Sequence, residues 1–421
     1  MPRPAPRDGL AMPALPLPSS CDVLVVGAGP AGSACALWLA RAGVRVTLVD
    51  AQVFPRDKVC GDGLIPDAHA ALQRLGVHEE VMSLAHHAGH IGCIGPRGGR
   101  VDVAGSLAVM PRRQFDDILC RAAVRVGADF HAPLRFESPI VEAGRVVGAR
   151  LLTNDVTHAV RADWVVLATG AVPQALIAAE MCTRRVPTGV ALRGYVKNPA
   201  MTRRITELEV VWHQRLRPGY GWIFPCGGDV FNIGAGVLHS HSQVREDGKR
   251  RMQDVNLRRL LDTFAECYPP AQALMKSGVV VGEIKGAPLR CTLEGARWSR
   301  PGLLVTGEAA GSTYAFTGEG IGKAMETGIL AAEALLATRA RGLDESATCR
   351  NYDATLAALK PRFDLYERAN QVNAHPWLAD LLIWRARRSE RLRRRMSGVL
   401  EETSNPGHLL TSKGMWRLFT E

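Results

Sequence analysis

A glycine-rich segment that begins at residue 27 has the spacing of a pyrophosphate-binding turn. Gly27, Gly29 and Gly32 stand between an apolar run and a helical stretch. In that position the first glycine permits a tight turn, the second lets the backbone approach phosphate groups, and the third lets helix and strand pack closely. The free N–H groups and the dipole of the helix N-terminus favour the same anions. We therefore expect phosphate contacts from Gly27, Gly29, Pro30, Ala31 and Gly32.

The residues around this turn complete a βαβ unit. The apolar run 22–26 precedes the glycines, a helix is predicted over 33–42, and a second apolar run, 44–49, ends in Asp50. An acid at the end of the second strand accepts a hydrogen bond from an adenosine ribose hydroxyl and disfavours an extra 2′-phosphate. The order of strand, glycines, helix, strand and acid predicts a Rossmann-like dinucleotide-binding domain, with Asp50 on the ribose.

Two later junctions indicate which dinucleotide is bound. Apolar runs at 164–168 and 303–306 each lead into glycine, and a long apolar-periodic helix follows 316–322. A second glycine-rich junction suits FAD, because a carboxylate can hold the ribityl hydroxyls and a helix N-terminus can stabilise the negative charge of the reduced ring. Glu308 is the expected ligand on the ribityl or phosphate side. The expected cofactor residues in these junctions are Gly170, Gly307, Glu308, Gly318, Gly320 and Ile321.

The composition is that of an ordinary globular protein. The chain has 421 residues, of which 47% are hydrophobic and 22% charged, so two or three domains and a large core are expected. No apolar run approaches the roughly 18 residues that cross a bilayer. The ten cysteines form no CxxC pair and no zinc-like spacing with histidine, which predicts reduced thiols, a cytoplasmic location and no metal site.

Positive charge is concentrated near the C-terminus. The formal net charge is +11, and seven arginines fall within 385–395. Such a run is typical of a solvated helix face, with attraction to anionic lipid or to a phosphorylated substrate as the alternative. Peripheral association with a membrane surface through this region is therefore a second expectation. No segment resembles a nucleic-acid-binding module, so no nucleic-acid partner is expected.

These motifs resemble the geranylgeranyl reductase family, within the p-hydroxybenzoate-hydroxylase-like flavoproteins. Four segments carry the resemblance and occur in the family's order: 27–32, 58–63, 220–225 and 307–325. The first and last indicate FAD only, because the wider superfamily shares them. The chain departs from the family at Glu308, where aspartate is usual. The longer side chain puts in doubt how the ribityl chain is held.

The resemblance adds roles for the two central segments. In archaeal members a cysteine at the position of Cys60 lies close to flavin and substrate, which implies that Cys60 is catalytic, as a proton donor or a substrate-positioning group. An inert buried thiol is the alternative. The aromatic segment implies a substrate-binding wall formed by Tyr220, Trp222, Phe224 and Pro225, whereas aromatic residues alternating in a strand are otherwise typical of core.

Further cofactor contacts follow from neighbouring residues. The stretch 110–116 matches the family's segment at the start of a helix, which implies that Arg112 meets the cofactor phosphate or flavin side, with a surface arginine as the alternative. Arg56 follows the second strand and can neutralise a pyrophosphate or meet an anionic substrate. With the glycines around Cys60, the added cofactor residues are Arg56, Gly61, Asp62, Gly63 and Arg112.

The motif order predicts an α/β fold. It combines a Rossmann-like FAD-binding domain on a parallel sheet, an antiparallel β-sheet substrate domain and C-terminal helices. The expected divisions are a flexible N-terminal extension at 1–20, a discontinuous FAD-binding domain at 21–175 and 280–335, a substrate-binding domain at 176–279 and a C-terminal helical region at 336–421. Residues 85–105 are assigned either to the FAD-binding domain or to the substrate sheet.

The resemblance implies a FAD-dependent oxidoreductase that reduces C=C bonds of an isoprenoid-type or other apolar substrate by hydride transfer from reduced flavin. The single βαβ unit of GxGxxG type indicates that NAD(P)H, or another electron donor, binds only transiently. One alternative is a FAD monooxygenase that hydroxylates an aromatic substrate, including a tryptophan side chain of a small molecule or protein, through a flavin hydroperoxide. Another is a protein in which FAD is structural or senses redox state. The expected partner is a small-molecule or prenyl-type substrate, with a protein substrate as the alternative.

Overall fold

The computed structural model describes residues 16–238 and 255–404, together with the backbone of two short strands at 243–244 and 250–251. The greater part of the expected N-terminal extension and the tail from residue 405 lie outside the described residues. Within the described residues, no helix combines the length and the apolar character that crossing a membrane requires.

Eighteen strands in the described part of the chain make up three sheets. In chain order they are β1 Ser20–Val26, β2 Val46–Val49, β3 Gly63–Leu64, β4 His86–Ile94, β5 Arg100–Val109, β6 Asp129–His131, β7 Arg135–Glu142, β8 Arg145–Thr153, β9 Val156–Leu167, β10 Gly189–Lys197, β11 Leu208–Val211, β12 Gly219–Gly227, β13 Val230–Leu238, β14 Gln243–Val244, β15 Arg250–Arg251, β16 Val279–Leu289, β17 Ser299–Arg300 and β18 Leu303–Val305.

Twelve α-helices lie among the described residues. They are α1 Pro30–Arg41, α2 Pro66–Leu75, α3 His78–Leu84, α4 Arg112–Arg125, α5 Gln174–Ala178, α6 Leu257–Cys267, α7 Pro269–Ser277, α8 Ile321–Arg341, α9 Glu345–Ala369, α10 Gln371–Ala374, α11 Trp377–Ala386 and α12 Glu390–Leu400. Short 3₁₀ turns occur at Pro199–Met201, Gln214–Leu216 and Gly307–Ala310.

The first sheet has a parallel centre in which β6, β2, β1, β9 and β18 lie side by side. Residues in β1 alternate between two cores: Val23 and Val25 face α1, α4 and α8, whereas Leu24 and Val26 face the other side, where β7 and β8 pack. Burial on both faces is typical of parallel strands connected by helices. The sheet confirms the predicted Rossmann-like arrangement.

Helix α1 begins at Pro30 rather than at residue 33, because proline fits the first helical position, where no N–H is needed. Its N-terminal half packs directly against α8. A Cβ atom on Gly328 of α8 would lie 2.2 Å from the carbonyl oxygen of Ala31. The absence of a side chain at Gly328 therefore lets the N-terminal halves of the two helices approach each other.

The second sheet is mainly antiparallel, in the order β16-β10-β13-β12-β11-β4-β5-β3, with one parallel pair between β11 and β4. Residues 85–105 lie largely in β4 and β5 and so belong to this sheet. The boundary expected at residue 280 differs from the structure. Strand β16 pairs with β10 from Lys197↔Val279 to Gly189↔Leu289, so its backbone hydrogen bonds hold 279–289 in the second sheet.

The C-terminal helices complete the α/β fold. Helices α11 and α12 cover β4 and β5, where Leu378, Ile383 and Leu400 share a buried cluster with Val101 and Val103. Parallel sheet, antiparallel sheet and C-terminal helices together confirm the predicted fold class. The helices bring a segment nearly 300 positions away in sequence against the second sheet.

Candidate active site

A cavity of about 770 Å³ lies between the two sheets. The phosphate-binding turn, the loop before β3 and the start of α8 form one part of its wall, and β12, β4, β5 and the C-terminal helices form the rest. It gathers most of the predicted site. The predicted residues that line it are Gly27, Gly29, Pro30, Ala31, Asp50, Arg56, Cys60, Gly61, Asp62, Gly63, Arg112, Gly170, Tyr220, Trp222, Phe224, Glu308, Gly318, Gly320 and Ile321.

Three predicted residues do not line the cavity. A Cβ atom on Gly32 would lie 1.7 Å from the carbonyl oxygen of Gly27, and one on Gly307, at φ +65°, would lie 2.5 Å from Cβ of Ala31. These two glycines act by close packing rather than by facing a ligand. Pro225 is buried in β12 opposite Phe231, so it supports the sheet rather than the cavity wall.

Buried ion pairs organise the phosphate-binding end. Arg112 donates two hydrogen bonds to Asp116, from Nε at 2.6 Å and from Nη2 at 2.8 Å, and Arg56 donates to the same carboxylate at 2.9 Å. Both guanidinium groups face Gly29, since a Cβ atom there would lie 3.6 Å from Arg56 and 3.9 Å from Arg112. One buried carboxylate therefore fixes two cations beside the turn, where they can meet phosphate oxygens.

Asp50 ties the end of β2 to the same turn. Its Oδ2 accepts a hydrogen bond from the backbone N–H of Ala28 at 2.8 Å, and its Oδ1 lies 3.3 Å from Nε of Arg56. The carboxylate stands at the cavity wall at the carboxyl end of a parallel strand, where ligands of such sheets bind.

A buried network connects the Cys60 loop to the second sheet. Asp62, at φ +65°, accepts hydrogen bonds from Tyr195 Oη at 2.5 Å and from Asn232 Nδ2 at 2.8 Å. Asn232 also donates to the carbonyl of Cys60 and accepts from Nε1 of Trp222. Burial raises the pKa of Asp62 to about 6, although Tyr195 and Asn232 oppose the rise. The network fixes the loop against the aromatic strand.

Two acidic side chains with raised pKa values stand at the cavity wall. Burial raises the pKa of the Cys60 thiol, while the charge of Arg112 opposes the rise. Glu319 also lines the cavity, and burial, reinforced by the charges of Asp67 and Glu402, raises its pKa well above the usual range. Sequence reasoning missed Glu319 because it considered only the glycines on either side. The signal that could have identified Glu319 is its position between two glycines just before a helix N-terminus.

The aromatic wall is wider than the sequence indicated. Trp212 joins it, with its ring centroid 6.2 Å from Tyr220 and 6.4 Å from Phe316. Asn373 holds this pair, because its Oδ1 accepts from Nε1 of Trp212 at 2.7 Å and its Nδ2 donates to the carbonyl of Phe316 at 2.9 Å. Trp212 and Phe316 were not predicted, since their proximity depends on segments that are distant in sequence.

The residues at the cavity fit FAD. Neither α1 nor α8 has a side-chain cap within the described residues, so the N–H groups at both helix starts remain available at the cavity. Thr169, another cavity residue, has a buried hydroxyl with no hydrogen-bond partner in the described part of the chain. A backbone cradle without side chains, buried cations and an unpaired hydroxyl match a dinucleotide with a pyrophosphate and a polar chain.

Comparisons with known proteins agree with this geometry. Residues 20–185 match the model of the FAD binding domain family. The chain is 35% identical over 333 residues to menaquinone reductase of Mycolicibacterium smegmatis, covering 74% of this chain and 75% of that protein. It is 29% identical to digeranylgeranylglycerophospholipid reductase of Methanoculleus marisnigri, covering 80% of this chain and 82% of that protein.

A solved structure shows the same fold. The geranylgeranyl bacteriochlorophyll reductase-like protein of Thermoplasma acidophilum superposes with a TM-score of 0.74 at 21% identity and covers 96% of each chain. The turn, the paired arginines and the second glycine junction provide a site that fits FAD, in agreement with the FAD binding domain match. The chain is a FAD-dependent oxidoreductase and belongs to the geranylgeranyl reductase family.

Proposed function

We propose that the protein reduces C=C bonds in the isoprenoid chain of a lipid, either a prenylated quinone or a prenylated glycerolipid. The observation that carries the proposal is the lining of the cavity, in which apolar side chains of the second sheet and the C-terminal helices join the residues of the cofactor end. Menaquinones and digeranylgeranylglycerophospholipids, named in two relatives, both carry isoprenoid chains.

The apolar region supports a chain-like substrate. Its residues come from β4, β5, β11, α11 and α12, and they are Cys93, Val103, Val210, Leu382, Ile383, Met396, Val399 and Leu400. Burial of apolar surface stabilises a bound ligand by about 25 cal/mol per Å². An isoprenoid chain can contact these apolar side chains together with Tyr220 and Trp222, whereas a small aromatic substrate would bury less apolar surface.

The cavity residues supply the proton and the dry environment of the reduction. When bound and reduced by the electron donor, the flavin would supply a hydride to one carbon of the double bond. Cys60 holds a proton at Sγ for the other carbon, so that C=C, hydride and proton give CH–CH. Arg112 stabilises the thiolate that remains. Glu319 is a second acid at the same wall, and the apolar surroundings exclude water from the reacting atoms.

The test is an anaerobic reaction of dithionite-reduced holoenzyme with a menaquinone that bears an isoprenoid chain, and in parallel with a geranylgeranyl glycerophospholipid. Mass spectrometry should detect a gain of H₂ for each reduced bond. No gain with either lipid, at normal FAD content, would overturn the proposal. Addition of oxygen to an aromatic compound in air would instead favour the monooxygenase alternative.

Variants identify the proton donor. Cys60→Ser should lower the rate of H₂ addition about a hundredfold, at the lower end of the usual effect of a general acid. Cys267→Ser is the matched control, because Cys267 is a partly buried thiol on α6 outside the cavity lining, and it should keep the native rate. If Cys60→Ser is as fast as the native enzyme and Glu319→Gln is slow, Glu319 donates the proton.

The electron donor is the second part of the proposal. NAD(P)H is proposed to reduce FAD in a transient complex, since the sequence has one GxGxxG-type unit and FAD uses it. Anaerobic mixing with NADH or NADPH should bleach the flavin absorbance. If only dithionite bleaches it, a separate protein must deliver the electrons.

A further inference from the structure

Helix α11 carries large aromatic side chains on its outer face. Trp377 and Trp384 are 52% and 48% exposed, and Leu381 between them is partly exposed. The three positions follow the i, i+4, i+7 spacing that places side chains on one helix face. We name these three residues the aromatic stripe. Exposed apolar groups that form a row mark an interaction surface more often than single exposed residues do.

Arginines surround the aromatic stripe. The guanidinium carbon of Arg388 lies 4.8 Å from the ring centroid of Trp384, which extends the stripe into a cation–π pair. We name four exposed arginines of this region the basic rim: Arg387, Arg388, Arg393 and Arg394.

Within the described residues, few exposed acidic side chains accompany the basic rim. Glu390 pairs with Arg394 at 2.5 Å. Asp380, on α11, is only 17% exposed at its side chain and accepts a hydrogen bond from the backbone N–H of Arg97 at 3.0 Å. Within the described residues from 377 to 401, the exposed acids are Glu390 and Glu401, against the four arginines of the basic rim. The described surface therefore has a net positive charge that fits an anionic partner.

The opposite faces of the same two helices form the end wall of the cavity. Leu382 and Ile383 of α11 and Met396 and Leu400 of α12 line it. The thickness of these helices is all that separates the aromatic stripe from the apolar region of the cavity. A partner on the outer face would therefore stand next to the proposed chain-binding region.

We propose that the aromatic stripe and the basic rim dock the protein on a lipid bilayer with anionic headgroups. Tryptophan side chains favour the membrane interface, and arginines near the surface add attraction to anionic lipid. Charge complementarity and the apolar cavity directly behind the helices favour a bilayer over an acidic protein. Docking stands independently of the chemistry, and only its purpose, delivery of a lipid substrate, rests on the proposed function.

The test is co-sedimentation of the FAD-loaded protein with vesicles of phosphatidylcholine alone or mixed with phosphatidylglycerol. The protein should bind the mixed vesicles about tenfold more tightly or better, and added salt should weaken that binding. Absence of binding to the mixed vesicles overturns the proposal and leaves an acidic protein as the candidate partner. Equal binding to both vesicle types overturns the role of the basic rim.

Paired substitutions locate the surface. Trp377→Ser with Trp384→Ser, and separately Arg387→Glu with Arg388→Glu, should each weaken vesicle binding about tenfold or more. The matched control is Val279→Ser with Val280→Ser, because those residues are 70% and 43% exposed on β16, at the opposite edge of the second sheet. Native binding in the helix variants, or equal loss in the control, would overturn the assignment.

A separate readout distinguishes docking from chemistry. Reduction of a short isoprenoid alcohol in solution should proceed at the native rate in the tryptophan variant with normal FAD content, since neither tryptophan lines the cavity. Vesicle binding without turnover of any isoprenoid would support docking and contradict the proposed function. Turnover without vesicle binding would support the proposed function and contradict docking.

Discussion

Replacement of Asp67 by asparagine should stabilise the protein above neutral pH. Lys323 is buried, and its Nζ lies 2.7 Å from Oε2 of Glu326 and 2.7 Å from Oε1 of Glu402. Asp67 is a third carboxylate, 3.7 Å from the same ammonium group, and its oxygens accept no hydrogen bond within the described residues. The lysine therefore stays paired when the charge of Asp67 is removed.

The magnitude follows from the pKa of Asp67. Burial raises it from 3.8 to about 7, with Lys323 opposing the rise and Glu402 adding to it. Between these two values the folded state keeps a proton that the unfolded chain releases, so stability is fully present below the lower value and falls as pH rises to the upper one. At about 1.4 kcal/mol per pH unit, the loss reaches up to about 4 kcal/mol.

The assay is urea unfolding of native protein and Asp67→Asn across a pH series, followed by tryptophan fluorescence. The two proteins should have similar free energies of unfolding near pH 4, and the variant should be more stable by up to about 4 kcal/mol above pH 7. The matched control, Glu326→Gln, removes a direct partner of Lys323 and should destabilise at neutral pH. Parallel pH profiles for native protein and Asp67→Asn would refute the reasoning.

Two further predictions concern the packing of the site. Gly32→Ala should lower stability by about 1–3 kcal/mol and weaken FAD binding, because its Cβ would meet the carbonyl of Gly27. The control is Gly89→Ala, which has open space at the Cβ position. Equal FAD retention in both variants would contradict the packing argument. Asn232→Ala should cost about 2 kcal/mol or more in urea unfolding, since it removes the partner of Trp222 and one of the two side-chain donors to Asp62. A change below about 0.5 kcal/mol would contradict this role of the network.

The features that could be predicted from the sequence are those whose geometry depends on a short segment of chain. The turn from Gly27 to Gly32, the acid at Asp50 and the junction before α8 follow from spacing along a single strand–turn–helix segment. Their geometry needs no distant partner, so residue type and order suffice. The structure differs from these predictions in two boundaries: α1 begins at Pro30, and the second sheet extends through 279–289.

Distant contacts explain what could not be predicted. Asp62 meets Tyr195 and Asn232 from positions 133 and 170 residues away, and Glu319 acquires its raised pKa from neighbours on other elements. A pKa depends on burial and on the charges nearby. Neither quantity can be read from a single segment of sequence.

The sequence by itself determined the cofactor, the fold class and the family, because the phosphate-binding turn and its helix are local structures in which Gly27 and Gly32 cannot be replaced without steric conflict. Only the tertiary structure decided the reach of the cavity, the wider aromatic wall and the position of the C-terminal helices between the cavity and a basic, tryptophan-bearing surface. Those features arise where segments far apart in the chain pack together, and packing depends on the shape and burial of all of them at once.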